Sequence, residues 1–262
     1  MTKLQQLNVS PFILRWICSY LTARQQKVVI GGEESETIPV ISGVPQGSVL
    51  GPLLFLIYID DVARVSLSEG STLVLYADDM LLYRKIDSTE DFIALQRDIN
   101  TINNWTKENY LNFNIAKCKY MLISRKRQAQ PMPDLFVDNV TLERVQYFKY
   151  LGILLAADLS WTHHIEAICT KARKLLGLLY RRFYEHADPS ALQQLYLSLV
   201  RPHLEYGCHV WDPNLQKDKR LLESVQKFAL RICAKQWDLG YDELMINFNV
   251  PSLQNRRLYH KL

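Results

Sequence analysis

Asp78 and Asp79 stand side by side in the stretch Leu73-Val74-Leu75-Tyr76-Ala77-Asp78-Asp79-Met80-Leu81-Leu82-Tyr83. Two carboxylates held together repel each other and raise one another's pKa, a cost that a bound cation relieves. The simplest such cation is Mg²⁺, held through carboxylates and the phosphates of a substrate. Asp is also an ordinary turn former, so the pair reads equally as turn chemistry with no ligand. A second pair, Asp60-Asp61, rivals the first. Adjacent residues on a helix diverge by about 100°, so those two cannot both face one ion with ease, and the polar end of a helix is their expected place.

Two further sets of residues bear on a phosphate-bearing ligand. In Ser42-Gly43-Val44-Pro45-Gln46-Gly47-Ser48-Val49-Leu50-Gly51-Pro52 the glycines let backbone approach a ligand closely. A Gly-rich loop entering a helix also presents amides suited to phosphate, although such loops are common as plain connections. Near the C-terminal end, Lys227, Arg231 and Lys235 recur at steps of four, either as a solvated helix face or as a row tracking a nucleic-acid backbone.

These residues need elements to hold them. Apolar, strand-forming runs on both sides of Ala77-Asp78-Asp79 predict a β-hairpin with the acids at its tip, although no glycine marks the turn. Upstream, residues 1–22 read as a helix broken before Pro11. Gln25–Ile30 reads as a strand, Gly31-Gly32 as a turn, Glu33–Glu36 as an exposed acidic loop and Leu53–Val65 as a helix. Downstream, Ser88 with Asp91 resembles a capping box, opening an amphipathic helix through Phe92, Leu95, Ile99 and Ile102. Cys118–Ser124, Leu135–Val140 and Tyr147–Leu155 read as strands, with a basic turn Arg125-Lys126-Arg127 and a Gln/Pro loop at Gln128–Pro133. The order fits an α+β layer, an antiparallel sheet with helices on one side. From Trp161 onward the pattern is all helix, with Asp188-Pro189 opening one helix and Pro202 disturbing it. The expected packing residues there are Leu175, Leu178, Leu192, Leu195, Val225 and Phe228. The boundary between the two regions falls near 156–164, giving 1–160 and 161–262.

Composition sets the frame. A chain of 262 residues with 48% hydrophobic and 22% charged residues can bury a real core. Its net charge of +4 is unevenly spread: residues 1–162 carry 16 Lys and Arg against 17 Asp and Glu, and residues 163–262 carry 15 against 10. A near-neutral front holding the acid pair and a basic back suit a polyanion. The five cysteines, scattered and odd in number, fit a reducing compartment better than a disulfide scaffold. The apolar run Val49–Ile59 is too short to span a bilayer, and the N-terminus lacks a signal pattern, so the expectation is an intracellular protein, in nucleus or cytoplasm, with no membrane partner.

Four stretches, in order, resemble successive motifs of a reverse transcriptase, most closely those of non-LTR (LINE-like) retrotransposons. They are Ser42-Gly43-Val44-Pro45-Gln46-Gly47-Ser48, Tyr76-Ala77-Asp78-Asp79, Leu111-Asn112-Phe113-Asn114-Ile115-Ala116-Lys117-Cys118 and Tyr150-Leu151-Gly152. Arg201-Pro202-His203-Leu204-Glu205-Tyr206 and Val210-Trp211-Asp212-Pro213 resemble the helical region that follows the palm in that group. The resemblance implies a polymerase palm over 1–160 and a thumb-like helical region over 161–262. It implies Asp78 and Asp79 as catalytic carboxylates on two Mg²⁺ ions about 4 Å apart, and Tyr76 near the primer terminus. It implies Gln46 and Gly47 against template and incoming dNTP, Lys117 as the general acid that protonates pyrophosphate, and the basic helices along the duplex. Its substrates would be an RNA template, a DNA primer and dNTPs.

One feature departs from that family. It requires a further aspartate on a strand preceding the Pro45-Gln46-Gly47 loop, and residues 1–59 contain none; their acids are Glu33, Glu34 and Glu36. The expectation is a chain that begins partway through the palm, without fingers, endonuclease or Cys/His knuckle, and inactive by itself. The alternative is a non-catalytic nucleic-acid-binding remnant of a mobile element.

Overall fold

The computed structural model describes residues 1–124 and 133–260. The basic turn at Arg125-Lys126-Arg127 and all but the last residue of the Gln128–Pro133 loop lie outside the described residues. The chain divides into two compact units, Met1–Cys118 with Pro131–Leu142, and Lys119–Gln130 with Glu143–Leu262. Among the described residues no helix is long and apolar enough to cross a membrane.

The first unit opens with α1 (Thr2–Gln6) and α2 (Pro11–Leu21). Ser10 Oγ accepts the Ile13 N–H, and Pro11 sits in the first turn, where its missing donor has no partner to lose. Two small ribbons follow: β1 (Gln25–Gln26) pairs with β4 (Ile38–Pro39), and between them β2 (Val29–Ile30) pairs with β3 (Glu33–Glu34), all antiparallel. The expected strand over Gln25–Ile30 is therefore split, and Glu33-Glu34, expected in a loop, is strand. The cause is Gly31-Gly32, whose φ of +60° and +94° turn the chain tightly enough to pair Ile30 with Glu33. Helix α3 (Leu50–Ile59) starts earlier than Leu53, because Ser48 Oγ takes the Gly51 N–H at 3.0 Å. It ends in a tight 3₁₀ segment, Asp60–Arg64.

Strands β5 (Ser71–Tyr76) and β6 (Asp79–Arg84) form the expected hairpin. Leu73, Leu75, Met80 and Leu82 alternate onto its inner face, where they pack with Ile59 and Val62 and with Ile102 and Trp105 of α4 (Thr89–Glu108). The Ser88–Asp91 capping box is formed in full. A second cluster joins Leu4, Ile17 and Leu54.

The remaining strands are short. β7 (Lys119–Tyr120) is only two residues of the expected Cys118–Ser124 strand. β8 (Phe136–Val137) and β9 (Val140–Thr141) make a hairpin where one strand over Leu135–Val140 was expected, because Asp138 and Asn139 both adopt left-handed φ, 49° and 63°. β10 (Glu143–Arg144) pairs with β7 in parallel, and β11 (Tyr147–Tyr150) pairs with β12 (Ile153–Ala156) as a hairpin. So the α+β class holds, whereas the single antiparallel sheet does not: the described strands form separate two-stranded ribbons. Segments of two residues between tight turns offer too few backbone groups to extend a ladder.

The rest of the second unit is helical: α5 (Thr162–Phe183), α6 (Pro189–Leu195), a π turn over Tyr196–Val200, α7 (Arg201–Glu205), α8 (Cys208–Trp211), α9 (Gln216–Ala234), α10 (Tyr241–Asn247) and α11 (Leu253–Tyr259). Asp188 accepts the Ala191 N–H and Pro189 follows it, as the sequence implies. The core packs Ile165, Leu176, Leu192, Tyr196, Leu204, Trp211, Leu222, Val225 and Leu230. Leu175 and Leu195 are half-buried against it, but Leu178 and Phe228 are 45% and 40% exposed, contrary to expectation. The inner stripe of α9 runs instead through Leu222, Val225, Gln226, Ala229 and Leu230, with Gln226 fully buried.

A polar network fixes Gln226 inside that core. Tyr196 donates to its Oε1 (2.7 Å), and its Nε2 donates to the Tyr241 hydroxyl (2.8 Å) and to the Pro251 carbonyl (3.0 Å). Tyr241 donates in turn to Glu223 (2.5 Å), whose other oxygen accepts the Gln254 N–H (2.8 Å). Each buried polar atom thereby keeps a partner, which offsets the cost of removing it from water.

Candidate functional site

At the β5–β6 tip, Tyr76 pairs across the hairpin with Asp79, and Ala77-Asp78 form the two-residue turn. Tight hairpin turns need a positive φ at the first central residue, a place usually given to glycine. Here Ala77 takes it, at φ 52°, at a strain of about 1 kcal/mol. The alternation of the strands sets Tyr76 and Asp79 on the outer face, opposite the apolar one that packs into the unit. Tyr76, Asp78 and Asp79 are all exposed. Among the described residues neither carboxylate is engaged by a hydrogen bond or an ion pair, so both retain full capacity for an external ligand.

The rival acids are committed elsewhere. Asp61 pairs with Lys3 at 2.7 Å, and Lys3 also lies 4.7 Å from the Tyr58 ring centroid and 5.1 Å from that of Trp105. Asp60 pairs with Arg64 at 2.8 Å, four residues on. At the base of the hairpin, Arg84 holds Asp91 at 2.7 Å. That guanidinium, with the Asp87 N–H, pulls the Asp91 carboxyl down to about 2.

The loop before α3 presents Gln46 and Gly47 to solvent, and Gly43 and Gly47 take φ of +77° and +78° that other residues avoid. What holds the loop is a residue the sequence pattern does not single out. Arg24 donates to the carbonyls of Leu21 (3.0 Å), Ser42 (3.1 Å) and Gly43 (2.5 Å). At its other end Ser48 Oγ donates to the Pro45 carbonyl (2.7 Å) while accepting from Gly51. Of the three glycines here, only Gly51, in the first turn of α3, has no room for a side chain: a Cβ would stand 2.8 Å from Ser48 Oγ and 2.9 Å from the Pro45 carbonyl oxygen. An Arg before a strand and a Ser three residues before a glycine are too ordinary to be picked out in advance.

Lys117 is exposed in the turn after α4, its N–H bonded to the Asn114 carbonyl (2.9 Å). The hairpin thus brings Tyr76, Asp78 and Asp79 together, while Gln46, Gly47 and Lys117 sit on separate loops of the same unit.

In the second unit, Leu151-Gly152 form the turn of the β11–β12 hairpin, with φ of 45° and +85°. Tyr206 donates to the Leu151 carbonyl (3.0 Å) and lies so close that a Cβ on Gly152 would stand 3.0 Å from its ring. Behind it, His164 is buried between Trp161 and Trp211, and its Nδ1 accepts the Leu154 N–H (3.2 Å). Burial lowers its pKa. The row on α9 is partly engaged: Lys227 is half-buried, Arg231 donates to the Leu239 carbonyl (3.3 Å), and Lys235, one residue past the helix, lies 5.6 Å from the Tyr184 ring. Freer cations are on α5, where Lys174 and Arg181 line a groove of about 420 Å³ at Gly177, beside Arg173, which donates to Ser224 Oγ (3.0 Å).

Comparison with known proteins gives this geometry its family. The model of the family described as reverse transcriptase (RNA-dependent DNA polymerase) matches residues 1–155. The chain is 28% identical over 241 residues to a probable RNA-directed DNA polymerase from transposon X-element of Drosophila melanogaster, covering 90% of this chain and 26% of that protein. It is 26% identical over 262 residues to the RNA-directed DNA polymerase from mobile element jockey of Drosophila funebris, covering 95% and 28%. It also resembles a Pol polyprotein of the type-1 retrotransposable element R2 from Popillia japonica, 26% identical over 219 residues, 73% of this chain and 30% of that one. The chain spans about a quarter of the length of the first two relatives. It belongs to the reverse transcriptase family, as a domain of the non-LTR, LINE-like kind.

Proposed function

We propose that this chain is the part of an RNA-directed DNA polymerase that presents the metal-binding carboxylates to the end of a primer. The observation that carries the reading is the β5–β6 tip: two adjacent aspartates, exposed and unengaged among the described residues, on a hairpin whose inner face is anchored in a core. Oxygen donors of this kind suit a hard divalent cation such as Mg²⁺. When bound, the ions make the primer 3′-hydroxyl a better nucleophile and neutralise charge on the leaving pyrophosphate. The chain's own part is to orient: Tyr76 beside the primer terminus, Gln46 and Gly47 against template and incoming dNTP, Lys117 as the donor of a proton to pyrophosphate. In this reading residues 1–160 are palm and 161–262 thumb, with the basic faces of α5 and α9 along the duplex. The place of action is inside the cell, in nucleus or cytoplasm.

Alone, the chain should not extend a primer. In-line transfer needs two ions on opposite sides of the reacting phosphate, and residues 1–59 offer no aspartate to share them. Glu33 and Glu34, on the exposed β2–β3 ribbon, do not supply one. The test compares the purified chain with Asp78→Asn on an RNA template and DNA primer, with Mg²⁺ and with Mn²⁺. Extension by the first and not by the second refutes the inactivity. Failure of both, reversed in the unsubstituted chain but not in Asp78→Asn by joining the preceding polymerase segment of a relative, upholds both the inactivity and the site.

A second reading, a remnant that binds nucleic acid without catalysis, draws on the α5 groove. Lys174 and Arg181 next to Gly177, with Arg173 beside them bonded to Ser224, let a phosphate backbone lie close. Replacing Arg173, Lys174 and Arg181 by Ala should weaken binding to all duplex sequences alike and flatten its salt dependence. An unchanged salt slope refutes this use of α5.

A further inference from the structure

Away from the hairpin tip, the first unit holds a cavity of about 470 Å³ between α4 and the β8–β9 hairpin. Its lining is dominated by carboxamides: Gln96, Asn100, Asn103 and Asn104 from successive turns of α4, and Asn139 from the β8–β9 turn, with the Phe136 ring beside them. We propose that this cavity is a pocket for a single unpaired nucleobase, with a preference for adenine. The inference rests on the nucleic-acid reading of the chain and goes beyond it, since the pocket is built from none of the residues assigned to primer, template or dNTP.

The chemistry selects this ligand. A carboxamide offers a donor and an acceptor in one plane, which matches the N6 and N7 edge of adenine. An aromatic ring beside such groups supplies the stacking surface on which unpaired bases are held. The site is poorly made for a bare phosphate, because its one cation, Lys107, is bonded to Asp138. That bond, and a second from Asn103 Nδ2 (2.8 Å), hold the Asp138 carboxyl below the ordinary carboxylate range, so the pair stays neutral overall.

The pocket is also pre-formed. Gln96 Oε1 accepts the Phe136 N–H (2.8 Å), and its Nε2 donates to the Phe136 carbonyl (2.9 Å) and to Asn100 Oδ1 (2.9 Å). A side chain thus pairs with the backbone of β8 as a neighbouring strand would, holding β8 against the helix. Asn104 and Asn139 make no hydrogen bond through their side chains among the described residues and are free for a ligand. Asn103, only 7% exposed, leaves its Oδ1 without a protein donor there. A volume of 470 Å³ lies in the range of small-ligand sites and admits one base with its sugar.

The test measures binding of labelled oligo(rA) and oligo(rU) to the full chain and to Asn104→Ala and Phe136→Ala, with AMP as competitor and a template–primer duplex as control. Both variants should fold, because Asn104 is exposed and the Phe136 bonds to Gln96 are made by its backbone. Oligo(rA) should bind more tightly than oligo(rU), and each variant should lose about tenfold in oligo(rA) affinity and most of that preference. Competition by AMP assigns the pocket to a free nucleotide, and failure to compete assigns it to a base presented by a strand; in either case the adenine chemistry stands. Equal binding of the two homopolymers, or variants with undiminished oligo(rA) affinity, overturns the proposal. If the duplex still binds in that case, the polymerase reading survives; if no nucleic acid binds at all, both fall.

Discussion

Gly152 answers to two demands at once, and they can be separated. Its φ of +85° costs a residue with a Cβ about 1 kcal/mol, partly offset because Ala gives up less chain entropy on folding, about 0.5–1 kcal/mol. The second demand is steric: a Cβ 3.0 Å from Tyr206 Cε1 must push the ring, and with it the hydroxyl that donates to the Leu151 carbonyl. Losing that bond at a half-open site adds about 1 kcal/mol. Gly152→Ala should therefore destabilise the chain by about 1–1.5 kcal/mol, measured by urea unfolding. In a Tyr206→Ala background the steric part has no partner, so the same change should cost under about 0.5 kcal/mol. A coupling energy near 1 kcal/mol between the two positions is the signature. Equal costs in both backgrounds would mean that the ring does not restrain the turn, and would refute the close packing as the reason for glycine.

Other expectations follow from the same contacts. His164 is held neutral by burial, with a folded-state pKa below its unfolded one, so its contribution is present above about pH 6.5 and is lost as pH falls below it. The loss approaches about 1.4 kcal/mol per pH unit at most, and His164→Phe should flatten unfolding free energy between pH 7 and 5; an unchanged profile would exonerate the histidine. The Arg84–Asp91 pair behaves likewise at lower pH, its stabilisation complete above about pH 4 and lost towards pH 2, a loss that Asp91→Asn should remove from an acid titration of unfolding. Glu223→Gln opposes a donor to a backbone N–H, either at Leu253 or at Gln254, and should cost about 2 kcal/mol; a cost below about 0.5 kcal/mol would show the network to be slack. Arg24→Ala frees three carbonyls and should raise the rate of limited proteolysis between residues 40 and 48, with cleavage elsewhere unchanged as the control.

What was legible in the sequence depended on length and on whether a residue's role matched its type. The β5–β6 hairpin and α4 could be read because their periodic patterns run long enough to average over exceptions, and Ser88–Asp91 and Asp188-Pro189 because caps are local chemistry. The β8–β9 hairpin was hidden because the strand-forming residues Phe136-Val137 and Val140-Thr141 on either side of Asp138-Asn139 pass for one strand interrupted by polar residues. Phe228 and Leu178 were misplaced because apolar residues outnumber the places on the inner face, while Gln226 occupies one that hydrophobic patterning assigns to no polar residue. The tip acids were visible as a pair, but the hold on the neighbouring loop was not. Arg24 acts there through backbone carbonyls, and a carbonyl carries no sequence signature.

The π turn over Tyr196–Val200 has a bearing on how this helical region tolerates change. In a regular α-helix, residues spaced by four drift about 40° around the axis with each step. Tyr196, Val200 and Leu204 are nonetheless all buried, at 1%, 0% and 0% exposure. The wider turn takes up part of the drift just ahead of Pro202, whose ring would otherwise crowd the carbonyl four residues back. Such a turn is equivalent to one extra residue spliced into a helix. Removing one residue between 196 and 200 would then restore α geometry and leave Leu204 on the core, whereas a deletion within the regular turns of α9 would rotate everything after it by about 100°. The irregular turn is therefore the one place in this run of helix where a single residue can be lost without moving the core residues that follow.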